Sequence, residues 1–401
     1  MPLSHGYSHL AMPGPTVIPD RVLQAMHRPS PDIYSGELVE SSDTLYADLS
    51  RVAQTEHDAV IYIGNGHASW EGALANTVST GDTVLALYTG RFGRGWAQMA
   101  EALGVHVESL DFGAEAPVDP QRVEDALRAD TQQRIAAVIT VQTDTSTSVR
   151  NDIESLRTAI DASRHPALLM VDCIASLGCE PYHMDAWGVD VTVAACQKGL
   201  MTPPGLAFNF VGPRARERRQ TLDRVSSYWD WTPRLEGEHY YQKFCGTPPT
   251  HHLFGLREAL NMLHEEGLEA VWRRHAACAR TVWAAVDAWS ADGPLRLHLA
   301  EVAHRSTAVT TLVAGAGNGP RIRSWCIEQV GVTLGFGLPL GEVASERPDH
   351  LFRIGHMGHI TPTGLLGSLG NIEAALCALD IRHGDGALAA AAAAVADACR
   401  D

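Results

Sequence analysis

The amino-acid sequence predicts an α/β protein: a mostly parallel sheet covered by helices, followed by a smaller C-terminal α+β domain. Three observations carry this prediction. Short β-branched runs recur at 59–63, 83–87, 106–110, 135–141, 167–172, 189–195 and 206–211. Between most of them lie stretches of about ten residues with helical spacing, such as 70–80, 95–103 and 153–163. The length of 401 residues exceeds the size at which a single core keeps growing, so two domains are expected. Strand and helix in alternation require crossovers, and crossovers cover both faces of a parallel sheet.

In chain order, an N-terminal segment (1–20) comes first. Its Met12-Pro13-Gly14-Pro15-Thr16 is rich in turn formers and cannot begin a long helix, so it is expected to lie across another part of the structure. The large domain is read as 21–262. Toward its end, Arg214, Arg216, Arg218 and Arg219 mark a linker, and an aromatic, irregular stretch occupies 228–244. Helical spacing returns over 253–266 and 268–290. The small domain, 263–401, then holds a strand at 307–313, a helix at 321–330, a strand at 351–355 and two helices, the last the alanine-rich 386–400.

A formal charge of -16 argues against nucleic acid and anionic membrane surfaces as partners, since both would repel the chain. No apolar run approaches the ~18 residues of a membrane span, and Met1-Pro2-Leu3-Ser4-His5-Gly6 lacks the pattern of a signal peptide, so a cytoplasmic protein is expected. Eight cysteines are scattered through apolar contexts without a Cys-x-x-Cys pair, and no His spacing suits zinc. They read as reduced, mostly buried thiols, and no metal is expected.

Chemistry centres on Lys198. Only two of the 31 basic residues are lysines, Lys198 and Lys243. Lys198 directly follows the run Val189 to Gln197. An amine in a dry pocket can lose its proton and attack a carbonyl, which a guanidinium cannot. Four further features suit a pyridoxal phosphate site. Asp172 ends a buried strand, where a carboxylate could pair with a protonated pyridine nitrogen; a helix cap is the plainer alternative. Gly64-Asn65-Gly66-His67 joins a strand to a helix, where free amides could hold a phosphate, or form only a tight turn. Phe92 offers a flat face for stacking, or simple core packing. Arg353, in the apolar segment Leu351-Phe352-Arg353-Ile354-Gly355, suits capture of a carboxylate or a structural ion pair.

Taken together and in this order, Gly64-Asn65-Gly66-His67, Val171-Asp172, Gln197-Lys198 with Pro203-Pro204-Gly205, Thr247-Pro248, Gly255-Leu256-Arg257-Glu258-Ala259-Leu260 and Phe352-Arg353-Ile354-Gly355-His356 resemble the class V aminotransferases of fold type I. Within these the chain is most similar to the alanine/serine-glyoxylate aminotransferase group. The resemblance implies a ping-pong transaminase using pyridoxal 5′-phosphate, acting on a small amino acid and a 2-oxo acid such as glyoxylate or pyruvate. It implies that Lys198 forms the Schiff base and moves the proton, that Asp172 binds the ring nitrogen and that Phe92 stacks on the ring. Asn65, Gly66, His67 and Gln197 would hold the phosphate, with Thr247 reaching in from the partner of a homodimer. Thr145 would lie near the ring's O3′, and Arg353 would bind the substrate carboxylate.

Two departures bear on the substrate. Relatives acting on serine and glyoxylate usually carry Tyr-Arg-Ser-Pro or His-Arg-Ser-Pro, whereas Ile33-Tyr34-Ser35-Gly36 puts Tyr34 where an arginine would line the acceptor pocket. Phe244 replaces a phosphate-binding tyrosine of some relatives. The segment 353–358 and, more loosely, Asp230-Trp231 are similar to pyridoxamine-pyruvate aminotransferase, the alternative reading. A lyase of the cysteine desulfurase kind fits less well, because Gln197 stands where those enzymes carry a histidine and no cysteine sits in an evident glycine-rich loop.

Overall fold

The computed structural model describes residues 2–340 and 347–400. Its strands are β1 (His9–Ala11), β2 (Asp58–Gly64), β3 (Thr83–Tyr88), β4 (His106–Asp111), β5 (Ile135–Val141), β6 (Thr143–Asp144) and β7 (Val149–Arg150), then β8 (Leu168–Asp172), β9 (Val191–Ala195), β10 (Gly205–Val211), β11 (Arg296–Leu297), β12 (Val309–Val313), β13 (Val332–Phe336) and β14 (Leu351–Gly355). Seven of them form the large sheet in the order β2-β10-β9-β8-β5-β3-β4. Only β10 runs against the others.

Alternation along the central strands sends side chains to both faces. Leu85, Val138, Leu169, Val171 and Ala194 join one core, while Val84, Ala86, Ile139, Met170 and Val193 join another on the opposite face. Burial on both faces is why these strands read as continuous apolar runs. Two of the covering helices, α1 (Gly66–Thr77) and α2 (Arg91–Ala102), pack against each other. Both begin four residues earlier than the spacing predicts. Trp70 of α1 and Trp96 of α2 are fully buried and stack at 6.1 Å between ring centroids.

The expected linker at Arg214 to Arg219 is instead a helix, Pro213–Gln220. Pro213 suits its first turn, and Ala215 is buried against the large domain. Arg214 pairs with Asp190 at 2.9 Å and Arg219 with Asp230 at 2.7 Å, so the basic cluster fastens the helix to its neighbours.

A second sheet, β1-β13-β14-β12-β11, backs onto its own core, which includes Trp283, Trp289, Leu312, Leu334 and Phe352. The alanine-rich helix, Ala387–Ala398, buries Ala387 and Ala391 in that core. β13 and β1 are absent from the sequence reading. β1 pairs with β13 in parallel, so the N-terminal segment does cross to a distant part of the chain. From β1 it continues to Thr16, whose N–H donates to the Gln197 carbonyl at 3.1 Å and whose Oγ1 donates to the Lys198 carbonyl at 3.0 Å. This strap ties the second sheet to the turn that carries the lysine. The other lysine, Lys243, holds its ammonium 5.0 Å from the centroid of the Tyr46 ring. No helix among the described residues is long and apolar enough to cross a membrane.

Candidate active site

Five parallel strands deliver residues to one end of the large sheet. Asn65 follows β2, Phe92 follows β3, Thr145 follows β5, Asp172 ends β8 and Lys198 follows β9. Carboxyl ends of parallel strands are where open α/β sheets collect ligands, because side chains and helix starts from separate crossovers converge there. Here they enclose a cavity of about 210 Å³ lined by Asn65, Gly66, His67, Phe92, Thr145, Asp172, Gln197 and Lys198, together with Trp70 and Ile174. An adjoining cavity of about 650 Å³ shares His67, Trp70, Phe92, Thr145 and Lys198 and adds Arg353. The structure thus gathers nine of the sequence-predicted residues. Tyr34 and Thr247 line neither cavity, and Tyr34 is 76% exposed.

Asp172 is buried, and both its oxygens are occupied. Trp70 Nε1 donates to Oδ2 at 2.8 Å and the Ile174 N–H donates to Oδ1 at 2.6 Å. Burial pushes the carboxyl up to about 7, against these two hydrogen bonds and the pull of Lys198. A cation seated against it in the cavity would bring it back down. Trp70 is missing from the sequence reading because nothing local marks a residue 102 positions from its acceptor.

Lys198 sits partly buried in the wall between the cavities, and its Nζ donates to the Pro13 carbonyl oxygen. Loss of solvent lowers its ammonium to about 8, helped by the Arg353 guanidinium and opposed by Asp172. The strap passes so close that only glycine fits at position 14. Its φ is +86°, and an added Cβ would lie 2.5 Å from Lys198 Cδ and 2.6 Å from Nζ. Gly14→Ala is expected to fold, to displace the amine, and to slow turnover at least about tenfold. A stopped-flow measurement showing unchanged amine reactivity would contradict this.

The start of α1 is partly self-satisfied. Asn65 caps it, accepting from the His67 N–H at 3.0 Å, and the Ala68 N–H bonds to the Asn65 carbonyl. That leaves the Gly66 N–H as the free amide at this helix start. Opposite, the Gln197 carboxamide oxygen is buried without a partner among the described residues, so the group has bonding capacity left for an occupant of the cavity.

Asp144 fixes the start of α2. Its Oδ2 accepts from the Phe92 N–H at 2.8 Å and the Gly93 N–H at 3.2 Å, and its Oδ1 accepts from Ser146 N and Oγ. A buried carboxylate at a helix N-terminus is well placed both for hydrogen bonding and for the helix dipole. Thr145 between them lends its carbonyl to Arg353 Nη1 at 2.8 Å, while Arg353 Nε donates to the Phe336 carbonyl at 2.8 Å. Among the described residues no acceptor meets the remaining guanidinium donors, including both on Nη2, and they suit an anion. Burial lowers Arg353 to about 10, still a cation at neutral pH.

A family model described as Aminotransferase class-V matches residues 9–344. The chain is 38% identical over 382 residues to a serine–glyoxylate aminotransferase of Methylorubrum extorquens, covering 92% of this chain and 91% of that protein. It is 34% identical over 385 residues to an L-aspartate–glyoxylate aminotransferase of Paracoccus denitrificans, covering 94% of each. Among solved structures, pyridoxamine-pyruvate aminotransferase from Mesorhizobium loti superposes with a TM-score of 0.88 at 26% identity over 98% of each chain.

Proposed function

Given that the chain belongs to the class V aminotransferase family, we propose that this transaminase moves an amino group from a small amino acid, such as alanine or serine, to glyoxylate or pyruvate. The observation that carries the reading is a single cavity faced by both the Lys198 amine and the buried Asp172 carboxylate. The donor set suits pyridoxal phosphate. The Gly66 N–H and the Gln197 side-chain NH₂ are donors that suit a phosphate, and Asp172 suits a protonated ring nitrogen. Bound there, the cofactor supplies an aldehyde that takes up the amino group and a ring that withdraws electrons from the substrate α-carbon.

The protein's residues do the rest. Asp172, supported by Trp70 and the Ile174 amide, would hold the negative charge that pairs with the ring nitrogen. Phe92, its backbone held by Asp144, would offer an aromatic face to the ring. Asn65, Gly66, His67 and Gln197 would hold the phosphate, and Thr145 would serve O3′. Lys198 Nζ carries the proton to and from the substrate α-carbon. Arg353 takes the α-carboxylate through Nη2. Thr247 serves the site from the partner subunit of a homodimer, and Tyr34 stands for the acceptor pocket; exposed Tyr34, Ile63 and Tyr241 are side chains that an interface would cover. Eight unpaired cysteines suit the reducing cytoplasm.

The test is a panel of alanine, serine, aspartate and pyridoxamine as donors against glyoxylate and pyruvate, with cofactor-loaded protein. Repeated amino-group transfer requires an acceptor; product released without one beyond a single equivalent per site indicates a lyase and removes this reading. Strong preference for pyridoxamine would favour the alternative suggested by segment 353–358. Cofactor uptake also carries a pH signature. The neutral amine is the nucleophile, so uptake by apoprotein, followed by visible absorbance, should rise about tenfold per pH unit below pH 8 and level off above it. A flat profile across that range is incompatible with Lys198 as the reacting amine.

A further inference from the structure

The wider cavity has a charge pattern that one substrate carboxylate does not explain. In a chain of net charge -16, its lining includes Arg91, Arg94, Lys198 and Arg353 and no aspartate or glutamate among the described residues. Arg353 is assigned to the α-carboxylate. Arg94 pairs with Asp111, which offsets its charge. Arg91 differs from both: its side chain is exposed and makes no ion pair or hydrogen bond among the described residues.

Its backbone is nevertheless fixed at the rim of the cavity. The Arg91 backbone N–H donates to Ser146 Oγ at 2.9 Å, and the preceding residue, Thr145, accepts from the Arg353 guanidinium. Consecutive residues of one hairpin therefore anchor the backbone of one arginine and the side chain of the other. His67, which lines both cavities, is held below the usual histidine range first by loss of solvent and next by the Arg91 guanidinium. The charge on Arg91 thus acts on the shared wall.

We propose that Arg91 is a specificity-determining residue that receives a second anionic group at the far end of the substrate. The donor range then extends beyond alanine and serine to small amino acids whose side chain ends in carboxylate or phosphate. This rests on the transaminase reading, with Arg353 on the α-carboxylate. A guanidinium meets either anion with paired N–H donors, and an uncompensated cation beside the pocket favours a dianion over a monoanion. Because Arg91 is exposed, the preference should be moderate and should weaken with salt.

The experiment compares aspartate, glutamate and O-phosphoserine with alanine at a fixed acceptor, in the cofactor-loaded wild type and in Arg91→Gln, Arg91→Lys and Arg91→Glu. The readout is the ratio of kcat/KM for each anionic donor to that for alanine. The ratio is expected to fall about tenfold in Arg91→Gln and further in Arg91→Glu, to recover largely in Arg91→Lys, and to fall with added salt in the wild type. An effect confined to aspartate and glutamate identifies a carboxylate as the second group; one confined to O-phosphoserine identifies a phosphate. Arg91→Lys and Arg91→Glu both end a flexible methylene stem in a charge and differ in its sign, so their comparison stands even if Arg91→Gln loads cofactor poorly. Equal ratios in wild type, Arg91→Gln and Arg91→Glu overturn the proposal. A wild type that transfers no amino group from any donor fails earlier, and overturns the function on which the proposal rests.

Discussion

Lys198→Ala is expected to abolish transamination, by at least about 10⁴-fold, and with it the visible absorption of lysine-bound cofactor. Two roles fall together: the amine that holds the aldehyde and the base that moves the α-proton. The surroundings explain why no neighbour substitutes. Lys243 is engaged with the Tyr46 ring, and every other basic side chain lining the two cavities is an arginine or the exposed His67. Lys198→Arg keeps a cation in place and should be as inactive as alanine, because a guanidinium stays protonated. Absorbance spectra and single-turnover assays of both variants decide the matter. Residual turnover above about 1% in either would remove Lys198 from its role.

Asp172→Asn is expected to cost two to three orders of magnitude in kcat, of the order of 3–4 kcal/mol, together with weaker cofactor retention. The physical loss is double. Negative charge under the ring disappears, and an amide has one acceptor oxygen where the carboxylate satisfies two donors, Trp70 Nε1 and the Ile174 N–H. One buried N–H would then face an NH₂ group. Asp172→Glu restores the charge without the geometry and should recover only part of the loss. Dialysis followed by absorbance measures retention, and steady-state assays at saturating cofactor measure the catalytic part. Wild-type kcat in Asp172→Asn under saturating cofactor would refute the assignment.

Much of the large sheet was legible because its strands are buried on both faces. Unbroken β-branched runs such as Ile135–Val141 and Leu168–Asp172 leave little room for another reading. Asp172 and Lys198 were legible for the same reason, as polar residues closing apolar strands. Helix starts were read late because Gly66 and Gly93 are poor helix formers and part of the support comes from afar. Phe92 owes its position to Asp144, 52 residues away.

Other features had no local signature. β13 is short and contains Gly335, where an added Cβ would lie 2.6 Å from Pro13 Cδ. Its identity as a strand depends on β1 and β14, which spacing within 332–336 cannot reveal. The helix Glu37–Val52 buries Leu38, Leu45, Leu49 and Val52 at helical intervals, a pattern present in the chain but lying ahead of the alternation from which the fold was read. The contact between Pro13 and Lys198 spans 185 positions, and Trp70 reaches Asp172 across 102. Those contacts complete the candidate site, and only the folded chain brings their partners together.

The Lys243–Tyr46 contact leaves amine-selective labelling reagents few side-chain targets. A mild reductant that fixes an aldehyde onto nitrogen would be expected to place its added mass on the peptide containing Lys198. Digestion and mass spectrometry could then report stoichiometry without a mutant for comparison, since there is a single competing lysine peptide and it carries its amine over an aromatic face.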